Sequence, residues 1–160
     1  MTRLYSSLLI GLVCWTSPAS AGGDEEAVER VLLAEAKSSA TFAETRDKQA
    51  VLKLYTTDYS GVQDGEAETR ESIEKWLSEY GSALEQGTRV HFLGVVSNLS
   101  THISGPTAWA TYDYVFQAIK NGELQGQERG ICTSILHKES SGWLIRHEHC
   151  SKTKPQGMER

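Results

Sequence analysis

Long hydrophobic runs, basic runs and cysteines are all scarce in this chain of 160 residues. The one apolar run, LLIGLVCW at residues 8–15, is far shorter than the ~20 residues with which a helix crosses a bilayer. We therefore expect no stable membrane insertion. The chain has 16 basic and 21 acidic residues and no basic stretch to hold a phosphate backbone. We accordingly expect no nucleic-acid partner.

What the chain does contain is the composition of an ordinary globular protein, with 39% hydrophobic and 23% charged residues. Domains most often have about 100 to 150 residues, so this length leaves no room for a separate cofactor lobe. The sequence has no glycine-rich phosphate loop, serine nucleophile elbow or Cys-x-x-Cys pair. It therefore predicts a single domain with one pocket and no cofactor.

The first residues have the pattern of a secretory signal. Arg3 supplies a positive charge, the apolar run follows, and Ala19-Ser20-Ala21 is the small-x-small sequence that signal peptidase cleaves. We predict that residues 1–21 are removed, that the domain spans 22–151, and that 152–160 form a polar tail. The mature protein is then exported, as a periplasmic or secreted protein.

Two cysteines, Cys132 and Cys150, remain once the predicted signal is removed. Export would place them in a compartment that permits disulfides. They fall on neighbouring strands of one predicted hairpin, and a bridge requires Cα atoms within ~7 Å of each other. Because the sequence leaves the strand register open, a disulfide and two half-buried thiols are both open interpretations.

Helical periodicity dominates the first half of the domain. Acidic residues begin a long helix over 24–45, and Asp47 caps a short second helix. A short strand is predicted over 59–63. A third helix follows over 69–87, with apolar residues recurring every three or four positions: Ile73, Trp76, Leu77, Tyr80, Ala83 and Leu84.

From residue 88 onward the period changes to two, which predicts four strands, at 88–103, 107–120, 124–138 and 143–151. Turn residues separate them: Gly105-Pro106, Asn121-Gly122 and Gly142. The strands should form an antiparallel meander. Because three helices must bury their apolar faces, we predict an α+β fold with the helices on the concave face of a curved sheet. Such a cone leaves a cavity at its wide end.

Three of these segments resemble one family. Arg46-Asp47, Tyr55-Thr-Thr-Asp58-Tyr59 and the closing Gly142-Trp143-Leu-Ile-Arg-His147-Glu-His149-Cys-Ser151 resemble the SnoaL-like branch of the nuclear transport factor 2-like (NTF2-like) superfamily. The closing segment is also similar to the association domain of calcium/calmodulin-dependent kinase II.

The resemblance covers nearly all of residues 25–151. It implies an NTF2-like cone with an α+β fold and frequent dimerisation through the sheet. It also implies a pocket that different members use for isomerisation, cyclisation, dehydration, epoxide hydrolysis or no catalysis at all. The fold by itself therefore does not decide the function.

Strand alternation indicates which polar residues of the last two strands face the pocket. On the last strand, the bulky Trp143 and Ile145 indicate the inward face, and His147 and His149 share it. On the preceding strand, Arg129 has the same parity as the apolar inward set, which is Ile131, Thr133 and Ile135. We therefore predict that both histidines and Arg129 line the pocket.

The strand at 107–120 offers two candidate inward faces. One set is Trp109, Thr111, Asp113 and Val115, and the other is Ala110, Tyr112, Tyr114 and Phe116. We favour the first set, which puts Asp113 in the pocket. The second set then faces outward, where its large aromatic side chains would be exposed to water unless another molecule covered them. We therefore predict a homodimer through that outer face.

These placements provide the candidate site. We predict His147, His149 and Asp113 as acid/base residues and Arg129 as a ligand-binding cation. The candidate pocket walls and hydroxyl donors are Tyr55, Tyr59, Trp76, Tyr80 and Trp109. Structural roles stay open for all of them: satisfied histidines, a buried arginine salt bridge and core aromatic residues. Because His-x-His has no third ligand at a fixed spacing, we predict no metal.

Two functions remain open at this stage. The first is an exported enzyme that moves a proton on a small, mostly apolar organic ligand, with isomerase, cyclase or dehydratase chemistry. The alternative is a non-catalytic module that binds a ligand or assembles an oligomer. The sequence does not decide between them.

Overall fold

The computed structural model describes residues 21–153. The predicted signal, except Ala21, and the tail from residue 154 lie outside the described residues. The elements, in chain order, are α1 (Ala21–Thr45), α2 (Lys48–Leu52), β1 (Tyr55–Gln63), β2 (Glu66–Thr69), α3 (Arg70–Glu85), β3 (Val90–Ser104), β4 (Thr107–Lys120), β5 (Glu123–Glu139) and β6 (Gly142–Lys152). Within the described range, no helix is both long and apolar enough to cross a membrane.

The strands form one curved, six-stranded sheet in the order β2-β1-β6-β5-β4-β3. The predicted antiparallel meander is confirmed, because β3, β4, β5 and β6 pair consecutively in that sense. The sheet as a whole is mixed, however, since β1 lies parallel to β6. This pairing was not predicted, because a parallel contact between distant strands leaves no local signal in the sequence.

The strand β2 is an addition to the predicted order of elements. Asp64 and Gly65 have positive φ values of 53° and 91°, which form a tight turn and fold β2 back onto β1. At four residues, two of them glutamates, β2 is too short and too polar to show a strand pattern. The same turn type joins β4 to β5, where Asn121 and Gly122 have φ values of 55° and 84°.

Local hydrogen bonds begin the second and third helices at the predicted residues. The Asp47 side chain accepts the Ala50 N–H at 3.0 Å and begins α2. At α3, the Thr69 hydroxyl accepts the Ser72 N–H at 3.2 Å, and the Ser72 hydroxyl accepts the Thr69 N–H at 2.9 Å. This reciprocal pair is a capping box that satisfies two backbone donors of the first turn.

The helices pack on the concave face of the sheet, as predicted. Side chains from helices and strands meet there in one core, whose most buried large members are Leu32, Phe42, Leu52, Leu77, Leu136 and Ile145. The start of α1 is tied to the sheet by Asp24, which accepts hydrogen bonds from Lys138 at 2.6 Å and from the Trp143 indole at 3.2 Å. The remaining concave surface encloses the candidate site.

Candidate functional site

A bulge in β6 decides which side chains of the last strand face the helices. Ile145 pairs with Leu136 and His147 with Ile135, so Arg146 is an extra residue with no partner on β5. Trp143 and Ile145 are buried before the bulge. After it, the inward positions shift by one residue, to Glu148 and Cys150.

The predicted inward placement of His147 and His149 is therefore wrong. Both histidines lie on the convex side of the sheet, called here the outer face; the concave side is the inner face. His147 Nδ1 lies 3.1 Å from the Ser60 hydroxyl, and His149 Nε2 lies 3.3 Å from the Ser151 hydroxyl. Strict alternation from residue 143 to residue 151 would require a regular strand, and the bulge at Arg146 interrupts it.

The faces of β4 and β5 are also opposite to those predicted. Ala108, Ala110 and Tyr112 are buried on the inner face of β4, and Tyr114 and Phe116 continue that face along the cavity. On β5 the buried side chains are Cys132, Ser134 and Leu136. The apolar residues that were predicted to face inward lie exposed on the outer face. They include Trp109, Ile131 and Ile135.

The inner face and the helices enclose a cavity of about 480 Å³. That volume is in the range that small-molecule pockets occupy, roughly 300 to 1,000 Å³. Its walls are mainly aliphatic and aromatic, with glutamates from four elements, one of which is Glu128 of β5. The other three, Glu35 from α1, Glu68 from β2 and Glu148 from β6, are called here the carboxyl cluster.

Glu148 is held by two hydroxyl groups. Its Oε1 accepts a hydrogen bond from Ser134 Oγ at 2.5 Å and another from the Tyr112 hydroxyl. The two hydroxyl groups also contact each other, at 3.0 Å, and Ser134 is fully buried. Burial raises the pKa of Glu148, and these two hydrogen bonds offset part of that rise. The carboxyl group is thus fixed in position and poorly solvated.

Glu35 is a cavity carboxyl group that titrates near neutrality. Its burial, reinforced by the charge of Glu148, raises its pKa from 4.5 to about 7. The Ser39 hydroxyl donates to Glu35 Oε1 at 2.8 Å, and both Ser39 and Tyr55 oppose the rise. A carboxyl group with this pKa can give or take a proton at physiological pH.

Tyrosine hydroxyl groups complete the polar part of the site. Tyr59 donates to Glu68 Oε2 at 2.8 Å. Burial and the nearby carboxyl groups raise the pKa values of Tyr55, Tyr59 and Tyr112, so all three stay protonated and act as donors. The cavity thus combines carboxyl groups that can exchange protons with phenols that can steady developing negative charge.

A disulfide forms part of the cavity wall. Cys132 and Cys150 are register partners on β5 and β6, their Cα atoms are 4.1 Å apart, and their sulfur atoms are bonded. Of the two interpretations left open by the sequence, the structure has the bridge. Its loop of 18 residues corresponds to about 3 kcal/mol of stability in the chain-entropy account. The crosslink joins the two strands that carry Ser134 and Glu148.

The predicted aromatic wall is divided between the cavity and the core. Tyr55 and Trp76 line the cavity. Tyr59 and Tyr80 are buried, with the Tyr80 hydroxyl donating to the Val90 carbonyl at 2.6 Å. Trp109 lies on the outer face, where its ring stacks on His102 at a centroid distance of 5.3 Å.

Asp113 and Arg129 are together, but outside the main cavity. Both line a smaller depression near residues 97 and 153. Asp113 accepts a hydrogen bond from Asn98 Nδ2 at 2.6 Å, at a bulge of β3 where Asn98 has a φ of 52°. The predictions that put Asp113 and Arg129 in the pocket are wrong, because the parity chosen for β4 and β5 was the outer one.

The carboxyl cluster was not found from the sequence, although one member left a signal. Val28, Leu32, Glu35, Ser39 and Phe42 are spaced four, three, four and three residues apart, so Glu35 interrupts the buried stripe of α1. A charged residue at such a position marks a candidate site. Glu148 left no comparable signal, since its orientation depends on the bulge.

The arrangement fits proton transfer better than metal chemistry. Across residues 21–153, no group of three or more His, Cys, Asp or Glu side chains is arranged to hold a metal ion. The cavity instead offers a carboxyl group that titrates near pH 7, a second one fixed by hydroxyl groups, and phenolic donors.

Sequence and structure comparisons agree on the relatives of this fold. The family model described as a SnoaL-like domain matches residues 36–155. No curated protein matches the chain.

Several solved structures share the fold at low sequence identity. A proposed dehydratase of the NTF2-like family from Streptomyces avermitilis has a TM-score of 0.65 and 18% identity, over 84% of this chain and 99% of that one. An NTF2-like protein with a cystatin-like fold from Novosphingobium aromaticivorans has a TM-score of 0.65 and 14% identity, over 84% of each chain. A proposed calcium/calmodulin-dependent kinase II association domain from Xanthomonas campestris has a TM-score of 0.55 and 20% identity, over 81% of this chain and 84% of that one.

Proposed function

The chain belongs to the SnoaL-like family, and we propose that it is an enzyme that moves a proton on a small, mostly apolar organic ligand. The observation that carries the proposal is a carboxyl group with a pKa of about 7 in the wall of a largely apolar cavity. General acid–base catalysis is most efficient when the pKa of the catalytic group lies near the working pH.

We assign the proton transfer to Glu35 and a supporting role to Glu148. Glu148 is fixed by Tyr112 and Ser134, and its charge is one of the causes that hold the pKa of Glu35 near neutrality. Glu35 has one hydroxyl donor, Ser39, from its own helix. Tyr55 lies next to Glu35 in the wall and supplies a phenol that can donate to an oxygen of the ligand as charge develops there.

The reaction class is an acid–base elimination or isomerisation. Both reactions need a group that removes a proton from carbon and a donor that stabilises the oxygen or leaving group. The Streptomyces neighbour is named as a proposed dehydratase, which is an elimination of this kind. At 18% identity this likeness extends to the fold, so the chemistry of the cavity itself is the argument for the class.

The opening of 5-nitrobenzisoxazole by base tests the proposal without the natural substrate. In this reaction a base removes the ring C–H proton, the electron pair of that bond forms a nitrile, the N–O bond breaks and a coloured phenolate is released. We expect the protein to accelerate it with a rate that rises with pH around a midpoint near 7. Glu35→Gln should lower the rate by about 100-fold or more.

Two further variants make the assignment specific. Glu148→Gln keeps hydrogen-bond acceptors for Tyr112 and Ser134 but removes a charge, so the midpoint of the pH profile should fall below that of the wild type. Glu44→Gln, exposed on the same helix as Glu35, is the control and should leave the profile unchanged. A wild-type protein with no more activity than Glu35→Gln would refute the proposal.

We also propose that the protein works outside the cytoplasm. The signal pattern at residues 1–21 supports this location, and so does the Cys132–Cys150 bridge, because disulfides persist in oxidising compartments. Mass spectrometry of the exported protein should give a chain that begins at Gly22. Recovery of the chain in the cytoplasm with Met1 still attached would contradict the proposal.

A second candidate function is an oligomerisation module, and the outer face is the observation that favours it. This face exposes Trp109, Ile131 and Ile135, and the Xanthomonas neighbour is named as a proposed association domain. The two functions give different results with Glu35→Gln. An assembly module would keep its oligomeric mass in that variant and would give no base-catalysed rate in the wild type.

A further inference from the structure

The charged residues that line the cavity are all acidic. Four of its lining residues are glutamates, namely the carboxyl cluster and Glu128. In the part of the chain that the structure describes, no lysine, arginine or histidine lines it. A cavity of this composition repels anions and favours a cationic guest.

Lys152 pairs with one of the four lining glutamates, Glu128, and leaves the carboxyl cluster without an ion pair among the residues that the structure describes. Lys152 lies between Asp64 and Glu128, with its Nζ 3.0 Å and 2.9 Å from their carboxylate oxygens. Arg146, at the bulge, pairs with Asp58 at 2.9 Å on the surface. Neither side chain forms an ion pair with Glu35 or Glu148. Within residues 21–153, neither of these partly buried carboxyl groups forms a close ion pair, and the charge of His147 acts on Glu148 as a weak longer-range effect.

One oxygen of Glu148 is also without a hydrogen bond. Both of its donors, Ser134 and Tyr112, reach Oε1. Its Oε2 has no hydrogen-bond partner in the described part of the chain. Because Glu148 lines the cavity, this oxygen is free to accept a hydrogen bond from a ligand N–H or to contact a cation there.

Aromatic rings form much of the remaining wall. Trp76, Phe92 and Phe116 are in sequential contact, with ring centroids 5.7 Å and 5.0 Å apart, and Tyr112 and Tyr114 lie on the same strand as Phe116. The negative faces of such rings attract cations, and more strongly where water is excluded. Aromatic walls with carboxylates are a setting that recognises organic ammonium groups.

We propose that the ligand of this cavity is an organic cation, an amine or quaternary ammonium compound whose positive charge lies by Glu35 and Glu148 while its apolar part contacts the aromatic wall. The inference rests on the proposed function for the choice of cavity and adds the charge of the substrate. The ionisable groups that line the cavity are Glu35 of α1, Tyr55 of β1, Glu68 of β2, Tyr112 and Tyr114 of β4, Glu128 of β5, which pairs with Lys152, and Glu148 of β6.

Two probes of the same shape isolate the effect of charge. They are (3-hydroxyphenyl)trimethylammonium and 3-tert-butylphenol, which differ in having nitrogen or carbon at the centre of the bulky group. Isothermal titration of the disulfide-bonded protein at about pH 8 should give about tenfold tighter binding of the cation. At about pH 5, where Glu35 gains a proton, the preference should fall below about threefold.

Variants and controls complete the design. Glu148→Gln should reduce the preference for the cation at the higher pH, whereas Glu44→Gln, exposed on α1, should leave it intact. If Glu148→Gln does not fold, the pH comparison on the wild type decides alone. Equal binding of the two probes, tighter binding of 3-tert-butylphenol, or no binding of the cation would each overturn the inference.

The experiment separates this inference from the proposed function. Base-catalysed opening of 5-nitrobenzisoxazole uses an uncharged substrate and tests only whether Glu35 can accept a proton. A protein that catalyses this reaction but shows no preference for the cation keeps its acid–base function and has a neutral ligand. A protein that prefers the cation without catalysis is a binding protein for organic cations.

Discussion

The inner and outer faces of strands β4, β5 and β6 differ in how their polar and apolar side chains are placed. The inner face carries Tyr112, Ser134 and Glu148, which are hydrogen-bonded to one another inside the protein. The outer face carries Trp109 and Ile131, whose side chains are 43% and 51% exposed. The inner face thus holds a polar group of residues among buried apolar ones such as Leu136 and Ile145, whereas the outer face leaves some large apolar side chains in water.

This difference shows that the alternation of apolar residues along a strand does not by itself distinguish a cavity wall from an exposed surface. Buried polar groups are stable where they satisfy one another, as the hydroxyl groups around Glu148 do. A face that exposes large apolar residues is stable in water but is typical of an interaction surface. Large apolar side chains therefore occur on the outer face of this sheet as well as on the inner one.

The largest expected effect is a difference in stability between substitutions at two adjacent residues of β5. Leu136 is fully buried on the inner face, and Ile135 is 37% exposed on the outer face. Leu136→Ala should lower the free energy of unfolding by about 3 kcal/mol, because it leaves a cavity in the core. Ile135→Ala should cost under about 1 kcal/mol. Urea denaturation measures both, and equal losses would contradict the assignment of faces.

The next effect is a loss of stability as the pH rises. The pKa of Glu35 is about 7 in the folded protein against an ordinary 4.5, so folding favours its protonated form. Its contribution is fully present below pH 4.5 and is lost as the pH rises to about 7, with a total on the order of 3 kcal/mol. Urea denaturation across this range measures it.

The Glu35→Gln variant sharpens the pH comparison. Because glutamine does not ionise, the decline in the free energy of unfolding should be much smaller in this variant than in the wild type. Glu44→Gln should decline as the wild type does. If the wild-type protein instead became more stable as the pH rises from 4.5 to about 7, Glu35 would be solvated and the inner face would be open to water.

The third effect concerns association through the outer face. We propose that a second copy of the chain covers Trp109, Ile131 and Ile135, in place of the aromatic set predicted from the sequence, which lines the cavity instead. Light scattering at micromolar concentration should give the mass of a dimer. Ile131→Lys should give a monomer, because it places a charge in the centre of the covered surface.

Stability provides the control for that experiment. Ile131→Lys changes an exposed position, so the isolated chain should keep its free energy of unfolding within about 1 kcal/mol. Tyr114→Lys would instead damage the cavity and lower stability. A wild-type protein that is monomeric under these conditions would contradict the proposed dimer interface.

The smallest effects are expected at His149 and Arg129, two of the residues first predicted for the pocket. Both are exposed on the outer face. His149→Gln and Arg129→Gln should each change the free energy of unfolding by no more than about 0.5 kcal/mol. The rate of 5-nitrobenzisoxazole opening should stay within about twofold of the wild-type rate. A large loss of that rate in either variant would indicate that the active site lies on the outer face.

The sequence was sufficient for the elements that short-range forces determine. The capping groups of Thr69 and Asp47 and the left-handed turn residues Asn121 and Gly122 act within three or four positions of the chain. The apolar period likewise distinguished the helices from the meander, and the motif at the end of the chain identified the family. Each of these features is determined by neighbours in sequence, so the sequence contains the whole signal.

The site was decided by the tertiary structure. The side of the sheet to which a strand turns its odd or even residues depends on where the helices pack and on bulges, and the extra residue Arg146 moved Glu148 inward and His147 outward. Glu35 could have been suspected from its place in a buried stripe, but its pKa depends on Glu148, 113 positions away in the sequence (148 − 35 = 113). Burial and charge coupling act through space, and so the chemistry of the cavity depends on which distant segments the fold brings together.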